Sequence, residues 1–423
     1  MAHLSARGAY RRLVERLNRF PQGAPPSELL YRILEMLFTE REAGLVSALP
    51  IKPFTTVKAA RAWKMPPARA QAILDELASR AILLDVERDG QRTYVLPPPM
   101  AGFFEFSMMR IRDDIDQKLL AELFYQYLNV EDEFITALFA HGETQLGRTF
   151  VAEPALAPEL ELQVLDHERA SWVVESASCI GVGVCYCRHK MLHMGRACAA
   201  PLDICMTFNG VADSLTRHGF ARKVCTAECL GLLEQARAQR LVQFGENVRQ
   251  EVSFICNCCG CCCEAMIAAR RFGHLQPVHT TNYLPHVEIV TCTGCGSCVN
   301  ACPVQAMTLV SANDPASPRR RTARLDAELC LGCGVCVLAC RHHNLSLEAR
   351  GERVLTPLNS AHKTVLMAIE RGTLHHLLFD DRALWNHRAM AAILGVVLKL
   401  PPLPQALASR QLKSRYLEAL VAR

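Results

Sequence analysis

The stretch Cys292 to Met307, "CTGCGSCVNACPVQAM", spaces four cysteines as C-x2-C-x2-C-x3-C. The same spacing recurs from Cys330 to Leu345 in "CLGCGVCVLACRHHNL". Two copies of one pattern so close together read as a single structural unit used twice. A tight turn lets three thiolates converge on one point, and Gly294, Gly296, Gly332 and Gly334 supply the backbone freedom it needs. The fourth cysteine of each copy is expected at the start of the next helix, from which it reaches across to the other copy. A zinc site would instead need two thiolate pairs joined by a longer loop. Two triplet-plus-one units fit iron–sulfur clusters better.

The pair of motifs resembles the bacterial two-cluster ferredoxin domain. That resemblance implies a βαββαβ fold holding two [4Fe–4S] clusters with crossed ligation. Cys292, Cys295 and Cys298 would join Cys340 around one cluster, and Cys330, Cys333 and Cys336 would join Cys302 around the other. Pro303 follows Cys302 as the pattern expects, whereas Arg341 replaces the second proline. A cation at that place would raise the potential of its cluster. The insert "DPASPRRRTARLD" is basic through Arg319, Arg320 and Arg321. Such a run is usually a solvated loop; the sharper reading is a dock for an acidic redox partner.

Upstream, "FICNCCGCCCEAM" (Phe254 to Met266) holds Cys256, Cys258, Cys259, Cys261, Cys262 and Cys263. Further up, "CYCRHKMLHMGRACAAPLDICMTF" holds Cys185, Cys187, Cys198 and Cys205. Adjacent cysteines on an extended chain point apart, so disulfides here would be strained. Any four thiolates fit zinc, which stands as the lesser alternative. The neighbouring dicluster motif favours one or two additional iron–sulfur clusters in this middle region. Cys256, Cys259 and Cys262 repeat the C-x2-C-x2-C register and are expected to act as one triplet, with Cys258 and Cys261 interleaved. Gly260 is expected to permit the sharp turn. Cys185, Cys187, Cys198 and Cys205 would complete these centres or hold one alone. Cys179 reads as a core residue, and of Cys225 and Cys229, four apart on a helix, one reads as simply buried. His189 and His193 stand four apart; with Arg188, Lys190 and Arg196 they read as positive charge or surface rather than ligands. His342 and His343 read as tuning the second ferredoxin cluster or facing water.

Toward the N-terminus, Ser27 reads as the N-cap of "ELLYRILEMLF", with Leu29, Leu30, Ile33, Leu34 and Leu37 on one face. A helix from Val57 to Trp63, a Pro66-Pro67 turn and a helix from Ala68 to Arg80 follow, the last burying Ala72, Ile73, Leu77 and Ala81. "AILLDVE" and "RTYVLP" read as a hairpin around Arg88-Asp89-Gly90-Gln91. Together these resemble a winged helix. Its reading helix offers Arg69, Gln71, Asp75, Glu76 and Arg80, a weakly basic set for contacting DNA. A scaffold or protein-contact module is the favoured reading, so nucleic acid is the lesser partner.

The expected fold class is therefore α+β and multidomain. Residues 1–100 form a helical N-terminus with the winged-helix-like domain, and 101–170 a helical connector, with "PPPMAGFFEFSMMRIR" closing the first domain. Residues 171–285 form a mostly helical cysteine-rich domain, 286–350 the dicluster domain, and 351–423 a helical C-terminal segment offering an oligomer contact. The whole arrangement resembles a family of multi-cluster iron–sulfur proteins from anaerobic or facultative bacteria. The formal charge of +5 counts every cysteine as neutral, and metal-bound thiolates would turn it negative, so it argues for no nucleic-acid role. The N-terminal stretch has no apolar core of a secretory signal. "AMAAILGVV" is too short to span a bilayer. A cytoplasmic protein is expected, where clustered thiols bind metal. No Walker A loop, dinucleotide fingerprint or nucleophile elbow is present. These features read as an electron carrier, or an electron-transfer subunit of an oxidoreductase, relaying single electrons between a redox protein donor and acceptor. The alternatives are a redox- or oxygen-responsive DNA-binding regulator and a reductase that binds substrate at a middle cluster.

Overall fold

The computed structural model describes residues 2–88, 90–139, 142–380 and 385–397. The helical reading of 351–423 falls outside them at 381–384 and 398–423. In the first helical layer, Ser27 Oγ accepts the Leu30 N–H at 3.1 Å and starts the helix Glu28–Leu37. That helix buries Leu30, Ile33, Leu34 and Leu37. Each such side chain contributes about 1.5–3 kcal/mol on leaving water.

Helices Thr56–Trp63 and Pro67–Ser79 are followed by antiparallel strands β1 (Leu84–Arg88) and β2 (Gln91–Val95), paired Arg88 to Gln91 across the turn. The second helix buries Ala70, Leu74, Leu77 and Ala78. Ala72 is exposed and Ile73 half-buried, against expectation. Alanine occurs on every side of this helix and marks no face; Leu74 and Leu77 set it. The polar residues of the helix are largely engaged within the chain. Gln71 Nε2 donates to Asp75 (2.8 Å) and Tyr94 (2.5 Å), and Arg80 pairs with Glu42.

The stretch expected to close this domain is instead its centre. Phe103, Phe104 and Met108 have no exposed surface, and the two phenyl rings meet edge to face at 4.9 Å. One core runs from Ala9 to Phe139 and takes in Tyr186, Leu215 and Phe220 from the cysteine-rich region.

That region is framed by a six-stranded antiparallel sheet, where a mostly helical domain was expected. Its strands are β3 (Gly147–Thr149), β4 (Ile180–Val184), β5 (Asp203–Phe208), β6 (Arg222–Lys223), β7 (Val242–Glu246) and β8 (Phe254–Cys258), in the order β3-β7-β8-β5-β4-β6. Both faces are covered, so β7 is buried at every position and β5 at all but its first. Covered on both sides, a strand loses the alternation that would reveal it in sequence.

β1 docks on the helix Asn209–Arg217 through Asp85. Its buried carboxylate accepts from Ser214 Oγ (2.7 Å), Arg217 Nη1 (2.6 Å) and His218 Nε2 (3.0 Å). Burial pushes this carboxyl up, but Arg217 and Ser214 outweigh it and hold the group below the ordinary range. The contribution to stability is therefore complete above the unfolded value of about 3.9 and fades as pH falls through the lower folded value. Asp85→Asn is expected to cost about 2 kcal/mol at pH 7. Denaturant unfolding followed by far-ultraviolet circular dichroism should show that gap shrinking only below about pH 4.

The dicluster segment folds as βαββαβ. β9 (Tyr283–Val287) pairs with β12 (Leu345–Ala349), and β10 (Met307–Ser311) with β11 (Arg321–Leu325). The helices Ser297–Ala301 and Val335–Ala339 start at Gly296 and Gly334, both in left-handed conformation with φ near 80°. Cys302 and Cys340 end these short helices rather than starting the next ones. The helix Ser360–Glu370 is tied back to the sheet by the buried pair Lys363–Glu246 at 2.5 Å. No helix among the described residues is long and apolar enough to cross a membrane.

Candidate metal centres

Two cavities of similar size lie at the ends of the dicluster segment. The first, about 350 Å³ out to its mouth, is lined by Cys292, Cys295, Cys298 and Cys340. The second, about 330 Å³, is lined by Cys302, Cys330, Cys333 and Cys336. Each wall thus takes three thiols from one motif and the fourth from the other. Each quartet has the donor number and soft thiol chemistry that a [4Fe–4S] cube takes.

The two seats differ in wetness. Cys295 is exposed at the first, whereas Cys330 and Cys336 are buried at the second. Burial pushes Cys330 up to about 11 and Cys333 to about 12. At the first seat, hydrogen bonds from Ser297 lower Cys295. Backbone amides already point at sulfur: Ala306 N–H to Cys302 at 3.2 Å and Asn344 N–H to Cys340 at 3.4 Å. Such bonds and the local polarity are what set a cluster's potential. Arg341 is exposed, and His342 lines the first seat. Arg320 is engaged locally: it donates to the carbonyls of Val290 and Cys292 and pairs with Asp314 at 3.2 Å. Arg319 and Arg321 are exposed.

The ten middle cysteines divide into two groups. Six of them gather in a ring in the order Cys185, Cys187, Cys263, Cys258, Cys256 and Cys205, each thiol influencing the ionisation of its two neighbours. Cys258 and Cys263 are 3.1 Å apart through Sγ. Cys187 and Cys205 hold Cys185 far down, and Cys256 and Cys263 are each lowered to about 5 by the two thiols beside them. Cys187, Cys205 and Cys258 are pushed well up. The ring, together with Cys259, lines a chamber of about 740 Å³, roughly twice either ferredoxin seat. Its other wall includes Ile135, Leu138, Phe139, Phe244 and Phe254.

The second group is Cys198, Cys259, Cys261 and Cys262, whose Sγ atoms all lie within 4.8 Å of one another. The expected triplet Cys256, Cys259 and Cys262 is therefore not brought together. Cys256 lies on β8, where residues two apart share a face, so it sides with Cys258. The chain then turns, and Cys259 and Cys262 face Cys198. Cys261, expected beside Cys258, also joins the quartet.

Gly260 stands in the turn as expected, inside the second group between Cys259 and Cys261, and it has a further role. It is not among the residues with positive φ. A Cβ there would meet the Pro303 carbonyl oxygen at 2.5 Å and Pro303 Cα at 2.9 Å. Glycine thus lets the middle loop touch the residue after Cys302, at the rim of the second ferredoxin seat.

Arg188 is the buried cation shared by both middle groups. It donates to the carbonyls of Pro201 (2.9 Å) and Asn257 (2.6 Å). Although burial opposes its charge, Cys185 and Cys259 reinforce it. His189 Nδ1 bonds the Met108 carbonyl oxygen at 2.7 Å, and its Nε2 meets His193 Nε2 at 3.2 Å, so both rings are engaged with each other. Burial, then His189, pushes His193 down. The charge near the thiols therefore belongs to Arg188 rather than to His193.

Cys179 and Cys225 lie outside both groups, and Cys229 is fully buried in the sheet core. Sequence reasoning missed Glu105, Tyr186 and Glu264 on the chamber wall. Glu105, pushed up to about 8 by burial and then by Cys256, was the readable one: a lone acid inside "FFEF". Glu264 pairs with the buried Lys190, a contact with no signature in spacing.

The family described as a 4Fe-4S dicluster domain matches residues 291–344. No curated protein and no solved structure matches the chain. The matched segment and the clustered cysteines support iron–sulfur electron transfer as its chemistry.

Proposed function

We propose that the chain relays single electrons from an exposed ferredoxin-type seat, through a buried one, to the six-thiol ring. The observation that carries this reading is the serial contact. The exposed quartet with Cys295 and the buried quartet with Cys302 share one small domain, and Gly260 places the middle loop on Pro303. [4Fe–4S] cubes in the two seats, and a further iron–sulfur centre in the ring, would supply one-electron redox chemistry.

The residues around them do the rest. The amides of Ala306 and Asn344 stabilise charge on their sulfurs, and Arg188 compensates the middle thiolates. Exposed Ile289 and Val290, beside the first seat, fit the surface of a redox protein partner. A DNA-binding role has less support, because Gln71 and Arg80 are tied within the chain.

A second reading, a reductase, rests on the chamber. Its size leaves room beside one cube, and its far wall is apolar. Glu105, Tyr186 and Glu264 would then orient the polar end of a small apolar substrate.

Anaerobic iron and sulfide quantitation with electron paramagnetic resonance tests the relay. More than about eight irons per chain, with stepwise reduction by dithionite, is the expected result. Zinc with no acid-labile sulfide would end it. Turnover by the isolated reduced protein would move the assignment to the reductase.

A further inference from the structure

We infer that Cys198, Cys259, Cys261 and Cys262 hold one tetrahedral metal ion, zinc(II) or a lone iron, and not an iron–sulfur cube. The inference concerns a site separate from the ring and stands whether or not the ring carries electrons.

Spacing is the first argument. The Sγ atoms of Cys198 and Cys259 are 3.6 Å apart, those of Cys261 and Cys262 3.6 Å, and those of Cys198 and Cys262 3.9 Å. A metal–sulfur bond of about 2.3 Å gives a tetrahedron with edges of about 3.8 Å. In a cube each thiolate binds its own iron corner, so the sulfurs stand farther apart than around one shared ion.

The chain supplies its own comparison. Both ferredoxin quartets line cube-sized cavities, yet neither gathers its sulfurs this closely. Among the described residues, this quartet alone has all its donor atoms within single-ion reach. The six-thiol ring also fails that criterion as a set and opens on a chamber twice as large.

The position of the quartet fits a structural ion. Cys198 belongs to the connection between the helix Tyr186–His193 and β5; the other three belong to the turn between β8 and the helix Glu264–Arg271. Few backbone hydrogen bonds hold such connections, and an ion would staple the two together. Four protein ligands fill a tetrahedral site and leave no open position for substrate, as in structural zinc sites. Loading releases thiol protons and leaves an anionic complex, and the buried Arg188, held on the carbonyls of Pro201 and Asn257, offsets that charge.

The test compares metal content in the anaerobically purified full chain and in Cys198→Ser and Cys261→Ser variants. Loss of about one zinc, or of about one iron without sulfide, while the remaining iron and the paramagnetic signals persist, is the expected result. Loss of about four irons together with sulfide would overturn the inference, as would unchanged metal content in both variants. Should a variant fail to fold, cobalt(II) exchange into the wild-type chain decides. Intense visible bands of tetrahedral tetrathiolate cobalt support the site; octahedral bands or no uptake refute it.

Discussion

Cys302→Ser is expected to remove the cluster of the other motif. Cys302 follows the triplet Cys292, Cys295 and Cys298 in sequence, but it lines the cavity of Cys330, Cys333 and Cys336. The variant should lose up to about four irons per chain and the paramagnetic signal of one reduced cube. Cys295→Ser identifies the signal of the exposed seat, and Cys302→Ser should leave that signal in place. Cys340→Ser should give the reciprocal result, since Cys340 lines the exposed seat. If Cys302→Ser and Cys295→Ser abolish the same signal, the ligation is not crossed. The emptied inner seat is the costlier loss. Its thiols are pushed up to about 11 and 12 by burial, so without metal they stay neutral in a dry cavity with nothing to pack against.

Gly260→Val is expected to separate the two redox regions without removing any thiol. Even a bare Cβ would lie 2.5 Å from the Pro303 carbonyl oxygen, and that neighbour is backbone, which cannot swing aside. A cost of about 3 kcal/mol is expected from overpacking of this kind. Denaturant midpoints measure that cost. Iron content should persist while reduction of the middle centre, fed through the ferredoxin seats, slows relative to wild type. Unchanged reduction kinetics would show that electrons do not cross at the Gly260–Pro303 contact.

The sequence by itself determined the dicluster unit. The spacing C-x2-C-x2-C-x3-C, written twice with glycines between, leaves little freedom in how the thiols converge, because each triplet lies within one short turn. Local signals of the same kind located Ser27, the helix pair and the hairpin. The middle cysteines were another matter. Their C-x2-C register suggested Cys256, Cys259 and Cys262 as a unit, whereas β8 directs Cys256 to the ring and the turn after it directs Cys259 and Cys262 to Cys198. That partition depends on the two-residue period of a strand whose existence the sequence hid, because a sheet buried on both faces shows no alternation. Cys185, Cys187 and Cys205 reach the ring from the residue after β4, from the helix that follows it, and from β5. Only the pairing of β5 with β8 brings them opposite Cys256 and Cys258. Gly260 shows the same limit on a single residue. Sequence marked it as a turn; the approach of Pro303, 43 residues further along the chain, is a tertiary fact. Ligand type and local spacing were legible because they are properties of short segments, and the grouping of thiols into centres was not, because it is a property of how the strands pair.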